Sequence, residues 1–294
     1  MKRPRNAGPV RDPFEAVVSA PDPGAIQALV QAALKEDLGS GDLSATLVPS
    51  GQKTRAELHL REPAVLCGQA WFNACFRALA PGVQVRWLVE ERAWVEEPGI
   101  IAEVTGPARG ILSAERSALN LLQTLCGTAT ETARLVRLLS GSRTRLLDTR
   151  KTLPGLRVAQ KYAVRCGGGY NHRMGLWDAV LVKENHIIAC GSIQVAVDRA
   201  RKLGKGRWVE VETESPDEVN QALDAGADVV MLDNFALEDL RAAVGRIRGR
   251  AISEASGNVT EALLPEIAGT EVDYVSMGGL TKNLRAIDLS LRLT

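Results

Sequence analysis

The sequence predicts an α/β protein in which a mixed α+β amino-terminal section is followed by parallel β/α units. Three observations carry this. Beyond residue 143, short β-branched or leucine-rich runs alternate with amphipathic helical stretches, the pattern of parallel strands joined by right-handed crossovers. Before residue 143, strand and helix signals mix without alternating, as in an α+β domain. The later strands also end in polar, charged or glycine residues, and strand ends are where a barrel assembles its chemistry.

The elements follow in order. The opening "MKRPRNAGPVRDPFEAVVSAPDPG" holds five of the thirteen prolines and no continuous apolar stretch. It reads as a loose tail over residues 1–22, without a signal peptide and without chemistry. A helix starts near Pro23, where Ile26, Leu29, Val30, Ala33 and Leu34 form one apolar stripe; Gly39 and Gly41 in "EDLGSGD" stop it. "TRAELHLRE" alternates as a strand, "AWFNACFRALA" is helical, and "RAWVEEPG" and "IIAEVTG" are short strands. A long amphipathic helix covers "LSAERSALNLLQTLCGTATETARLVRLLS". Then come the strands "TRLLD", "DAVLV", "WVEVE", "ADVVML", "AIS" and "DYVSM", most of them separated by helices such as "SIQVAVDRARKLG" and "SPDEVNQALDAG".

These units fit a doubly wound sheet or a β/α barrel, and no G-x-G-x-x-G follows a first strand to favour the former. The strand ends decide for the barrel. "LLD" runs into Thr149, Arg150 and Lys151, and "AVLV" into Lys183, Glu184, Asn185 and His186. "WVEVE" ends on Glu212, "VVML" on Asp233 and Asn234, "AIS" on Glu254, Ser256 and Gly257, and "DYVSM" on Gly278 and Gly279. Parallel strands in a barrel converge with their C-termini on one rim.

The 294 residues carry a formal charge of only +1, which argues against nucleic acid as the main partner. Yet Arg143, Arg145, Arg150, Lys151, Arg157, Lys161, Arg165, Arg173 and Lys183 crowd one segment, opposed only by Asp148 and Asp178. Such a local excess indicates a small anionic ligand or a solvated surface. Five cysteines, odd in number and without C-x-x-C spacing, read as reduced thiols of a cytoplasmic protein with no zinc site. No apolar run reaches transmembrane length.

Each signal has a bland alternative. Arg150 and Lys151 could be solvated, but they follow a buried strand. Glu212 and Asp233 could be helix caps or partners of lysines; as neighbouring strand ends they could instead hold Mg²⁺ together with substrate phosphates. "GGGYNHR" could be a flexible loop, but its glycines allow close backbone approach to an anion, and His172 and Arg173 follow. Arg can grip a carboxylate with two parallel hydrogen bonds. His59 has no assigned role, and His186 orients the rim. "EASGN" and "SMGGL" are tight turns or a phosphate cradle. Arg116 could be an ordinary helical surface charge. The residues alone specify a basic barrel mouth for a phosphosugar or polyphosphate plus a small carboxylate.

"LDTRKTLPGLRVAQKYAVRCGGGYNHRMGLWDAVLVKENH" resembles the signature of the quinolinate phosphoribosyltransferases. "ALKEDLGSGDLSA", "GILSAERSALNLLQTLCGTATET", "VEVE", "GADVVMLDNF", "EASGNV" and "DYVSMGGLT" extend the likeness from about Gly24 to the C-terminus. The resemblance implies an amino-terminal α/β sandwich domain, here 23–126, and a carboxy-terminal incomplete β/α barrel, here 127–294: the type II phosphoribosyltransferase fold. It implies quinolinate and phosphoribosyl pyrophosphate as substrates, Mg²⁺ as cofactor, and a cytoplasmic homodimer with shared active sites, further assembly left open.

By the same resemblance Arg116 is lent to the neighbouring subunit. Thr149, Arg150, Lys151, His172, Arg173 and Lys183 hold the substrate carboxylates and sugar phosphate. Glu212 and Asp233 hold the metal and the ribose–pyrophosphate end, and Ser256, Gly257, Asn258, Gly278 and Gly279 cradle phosphate. Lys151, Lys183, Glu212 and Asp233 are the expected catalytic set. The chain departs from the family pattern at Gln160 (commonly acidic), Asn258 (commonly Gly), Gly279 (Ala) and Lys282 (His). The rival readings are a phosphosugar-binding barrel without catalysis and a related protein of the type associated with molybdenum transport, acting on another acceptor.

Overall fold

The structure, a computed structural model, describes residues 12–15 and 21–294; most of the segment read as a loose tail lies outside the described residues. The chain divides into two compact units, each assembled from separate stretches.

One unit comprises Val18–Arg134, Lys151–Gly168 and Gly279–Thr294. It begins with helix α1 (Pro23–Leu38), whose Asp22 side chain accepts the Ala25 N–H at 2.9 Å, a cap with Pro at the first turn. Strands β1 (Lys53–Leu60) and β2 (Ala64–Val65), helix α2 (Gln69–Leu79), then β3 (Gln84–Trp87), β4 (Trp94–Val95) and β5 (Gly99–Pro107) lead into the long helix α3 (Ala108–Leu138). Helix α4 is Arg157–Cys166, α10 is Gly279–Lys282 and β12 is Leu289–Leu293. The antiparallel sheet runs β12-β1-β5-β3, and alternation on β1 buries Ala56, Leu58 and Leu60 in a core with Phe72, Phe76, Val104 and Leu122. The sequence reading did not anticipate β2, β3, α4, α10 and β12.

Of the described residues, the other unit comprises Asp12–Glu15, Leu135–Arg150 and Gly169–Gly278. Its strands are β6 (Arg145–Leu147), β7 (Val180–Val182), β8 (Val209–Thr213), β9 (Val229–Asp233), β10 (Ile252–Ser256) and β11 (Tyr274–Ser276). All six anticipated strands are present and parallel, in the order β6-β11-β10-β9-β8-β7. Helices α5 (Glu184–Cys190), α6 (Ile193–Leu203), α7 (Pro216–Ala225), α8 (Leu237–Ile247) and α9 (Leu264–Ala268) supply the crossovers. β6 and β7 stay as edges, so the barrel is incomplete; Tyr170 bridges onto β6 at Leu147.

Period-2 alternation sorts the strands into layers. Trp208, Val229, Ile252 and Tyr274 stand at the N-terminal ends and form an apolar floor with Leu147. Two residues on come Glu210, Met231, Glu254 and Ser276; two further on, at the rim, Glu212, Asp233, Ser256 and Gly278.

Phe14 closes the floor. It is 3% exposed, with ring centroids 4.8 Å from Tyr274 and 5.2 Å from Trp208. Tyr274 Oη donates to Asp12 at 2.7 Å, and Arg145 pairs with Glu15 at 2.8 Å. The expectation of a loose tail therefore fails for Asp12–Glu15, because one buried aromatic ring outweighs the entropy of ordering four residues. Phe14→Ala is expected to lower unfolding stability by about 3 kcal/mol, read from the shift of the urea midpoint; an unchanged midpoint would show that the segment does not dock.

Candidate active site at the barrel mouth

The anions of the basic segment are committed to backbone. Asp148, fully buried after β6, accepts the His172 N–H at 2.9 Å and the Asn171 amide at 2.5 Å. Asp178 accepts the N–H groups of Met174 at 2.6 Å and Gly175 at 3.0 Å. Two carboxylates thus fasten both ends of the loop that carries Arg173. They are structural staples that sequence reading counted only as opposing charge.

The cations of the basic segment are divided between the two units. Arg143 and Arg145 stand at the floor end, paired with Asp273 and Glu15. Lys161 is buried within α4, and Arg157 Nε donates to Thr152 at 3.1 Å. At the rim, Arg173 is 8% exposed and donates to the Ala179 carbonyl at 3.3 Å; burial first, and then the charge of Arg150, holds it below the usual guanidinium range. Two guanidinium charges that disfavour one another are eased by an anion bound near both. Lys183 forms an ion pair with Glu212 on the next strand. His186 Nδ1 accepts the Lys183 N–H at 3.0 Å, so His186 caps α5 and steadies the rim, as read from sequence.

The ends of β9 and β10 are laced together. Asn234 N–H donates to the Ser256 carbonyl at 3.0 Å, Asn258 Nδ2 to Asn234 Oδ1 at 3.1 Å, and Asn234 Nδ2 to Asp233 at 2.7 Å. Asn234 (φ 56), Gly257 (φ 89) and Asn258 (φ 45) are all left-handed, and a Cβ at Gly257 would collide with Asn234. Asn is the non-glycine residue that takes this conformation most readily. This accounts for Asn258 where glycine is usual.

Below the rim lies a cluster that sequence reading missed. His172 Nδ1 accepts the Arg173 N–H at 2.7 Å, which leaves the proton on Nε2 to donate to Glu210 Oε2 at 2.8 Å; Glu254 Oε2 is 3.5 Å away. His172 was expected to grip a substrate carboxylate. Its ring nitrogens meet the Arg173 N–H and Glu210, so it also holds the chain that carries Arg173. Glu254 is an interior residue of β10, not a strand end. Glu210 Oε1 and both Glu254 oxygens have no hydrogen-bond partner among the described residues. Burial pushes Glu210 up to about 7, and burial followed by repulsion from Glu210 pushes Glu254 well up. The signal was present: each glutamate sits two residues before a rim group, in "VEVE" and "SEAS".

Glu212 and Asp233 end adjacent strands, and among the described residues no third metal-ligating side chain clusters with them. Two carboxylates fit a Mg²⁺ shared with substrate oxygens and water, not an all-protein cage. Thr149 is half-buried beside Asp148, and Ser256 and Gly278 line the same rim. Arg116, Lys151, Gly279 and Lys282 belong to the other unit, where Arg116 is exposed on α3. Gln160, the departure on α4, is fully buried there; it accepts the Leu153 N–H and donates to the Thr281 carbonyl, both at 2.8 Å.

These features define an α/β-barrel protein whose mouth is built for a small polyanion. Residues 128–292 match the quinolinate phosphoribosyl transferase C-terminal domain and residues 42–126 its N-terminal domain. The chain belongs to the quinolinate phosphoribosyl transferase family. It is 41% identical over 260 residues to the probable nicotinate-nucleotide pyrophosphorylase (carboxylating) of Bacillus subtilis, covering 88% of this chain and 90% of that one. It is 39% identical to the nicotinate-nucleotide pyrophosphorylase (carboxylating) of Homo sapiens, covering 92% of each. The solved nicotinate-nucleotide pyrophosphorylase of Francisella tularensis superposes with a TM-score of 0.92 at 46% identity, over 95% of this chain and 99% of that one.

The raised carboxylates set a pH dependence. The folded protein binds this proton more tightly than the unfolded chain, whose carboxylates titrate near 4.5, so the stabilisation is full below that value and is lost as pH rises through about 7. Stability should therefore fall between about pH 4.5 and 7 by up to about 3 kcal/mol from Glu210, and Glu210→Gln should flatten that fall. Equal slopes in variant and wild type, from melting curves across the range, would contradict it.

Proposed function

We infer that this chain joins quinolinate to phosphoribosyl pyrophosphate, giving nicotinate mononucleotide, pyrophosphate and carbon dioxide in NAD synthesis. The supporting observation is membership of the family over nearly the whole chain, together with two guanidiniums, Arg150 and Arg173, at the barrel mouth, the charge of one acting on the other. Two fixed guanidiniums suit an acceptor with two carboxylates better than one with a single carboxylate.

The chain's own groups then divide the work. Arg150 and Arg173 hold the dicarboxylate, and the Asp148 staple and His172 keep Arg173 from swinging away. Ser256 with the left-handed Gly257 and Asn258 that follow it are the groups to cradle a phosphate. Glu212 and Asp233 are the groups to hold Mg²⁺, which when bound supplies positive charge to the pyrophosphate oxygens. Lys183 adds a cation beside Glu212. As the bond from ribose C1′ to the pyrophosphate oxygen breaks, the quinolinate ring nitrogen bonds to C1′ from the opposite face. The carboxylate beside that now cationic nitrogen leaves as carbon dioxide, its electron pair staying on the ring until a proton replaces it. No side-chain nucleophile is required; the work is positioning and electrostatic.

We further propose a cytoplasmic homodimer in which Arg116 serves the neighbouring subunit's site. All five cysteines are free, as a reducing compartment requires, and no helix among the described residues is long and apolar enough to cross a membrane.

Purified protein with quinolinate, phosphoribosyl pyrophosphate and Mg²⁺ should yield nicotinate mononucleotide, and nicotinate as acceptor should not. Arg173→Ala should lower kcat/KM for quinolinate by a hundredfold or more, about 3 kcal/mol. Arg116→Ala should be inactive alone yet regain turnover when mixed with Arg173→Ala. Equal use of nicotinate would overturn the acceptor, and a mixture without rescue would overturn donation between subunits.

A further inference from the structure

A second chemical cluster lies in the unit that holds α2 and α4, and the reaction above makes no use of it. Cys67, fully buried just before α2, and Cys166, the last residue of α4, bring their Sγ atoms together with a Glu91 carboxylate oxygen, all within 4.8 Å of one another. A bound metal is the first reading of two thiols and a carboxylate, but the neighbours argue against it. Glu91 is already committed: it accepts the N–H groups of Gly68 at 2.9 Å and Gln69 at 3.2 Å, and the Tyr162 hydroxyl at 3.1 Å. A cation also stands here. Arg92, with left-handed backbone (φ 73), places its guanidinium 5.9 Å from the Tyr162 ring centroid and beside Cys166.

Those surroundings suit a thiolate. Cys166 sits below the usual thiol range chiefly through hydrogen bonding with Cys67, whereas burial drives Cys67 well up. Cys126 cannot take the part of Cys67, because its own S–H is directed to the Cys67 carbonyl at 3.4 Å. Access differs too. Cys67, Cys75 and Cys126 are sealed at 0%, while Cys166 keeps 8% of its surface, next to exposed Arg92.

We propose that Cys166 and Cys67 form a peroxide-sensitive thiol pair, in which Cys166 is oxidised first and Cys67 closes a disulfide. The Cys166 thiolate attacks one oxygen of hydrogen peroxide. The S–O bond forms as the O–O bond breaks, sulfur gives up two electrons, and hydroxide leaves. Cys67 sulfur then attacks the sulfenic sulfur; the S–S bond forms, the S–O bond breaks, and the Cys67 proton leaves with the oxygen as water. The disulfide would tie the end of α4 to the start of α2. The proposal does not depend on the enzymatic reading.

Native protein is treated with hydrogen peroxide, alkylated without reductant and digested with trypsin. The expected product joins peptide 62–77 to peptide 166–173, is unaffected by Cys75→Ser, and is reversed by dithiothreitol. In Cys67→Ser, dimedone should label Cys166 at least about tenfold faster than the sealed cysteines, and Cys166→Ser should prevent oxidation of Cys67. Oxidation confined to the half-exposed Cys190, absence of the cross-link, or stoichiometric zinc in the purified protein would each overturn the pair.

Discussion

The barrel mouth depends on the carboxylate of Asp148. It lies fully buried at the end of β6 and takes up the His172 amide and the Asn171 side chain. A buried carboxylate is tolerable only when its oxygens are satisfied, and satisfying it here fixes the loop from Gly169 to Arg173. Asp178 does the same for Met174 and Gly175. With Asp178 engaged by backbone and Asp148 by the His172 N–H and the Asn171 side chain, a chain of net charge +1 can still present Arg150 and Arg173 at the rim.

The floor reinforces that arrangement. Phe14, Trp208 and Tyr274 close the N-terminal end of the barrel, and His172 packs against Phe14 with ring centroids 5.5 Å apart. Above them, Glu210 and Glu254 sit in surroundings that disfavour their charged forms. An interior this poor in water strengthens every fixed charge at the rim. The gradation runs from apolar floor through protonatable middle to charged mouth, and it follows from side-chain alternation on the same few strands.

Much of this was legible in the amino-acid pattern. The six parallel strands announce themselves because they are leucine- and valine-rich and end in chemistry, and their termini name the rim. Helix α4 did not, since fully buried Gln160 and Lys161 interrupt the apolar stripe that would mark it. β3 alternates between exposed and half-buried, and β12 is five residues at the chain end, paired with β1 more than two hundred residues earlier. Glu210 and Glu254 were hidden for a related reason: an acid inside a strand reads as a solvent-facing position unless the strand is known to line a barrel. The contact of His172 with Glu210 was not foreseen, because sequence cannot show that Glu210 lies within reach of its ring.

Calorimetric titration of quinolinate into the Asp148→Asn protein tests the dependence of the mouth on that one carboxylate. An amide there still accepts from His172 but turns an N–H₂ toward the Asn171 donor, so affinity should fall at least about tenfold with the circular dichroism spectrum unchanged. Wild-type affinity in the folded variant would mean that Arg173 is positioned by something else.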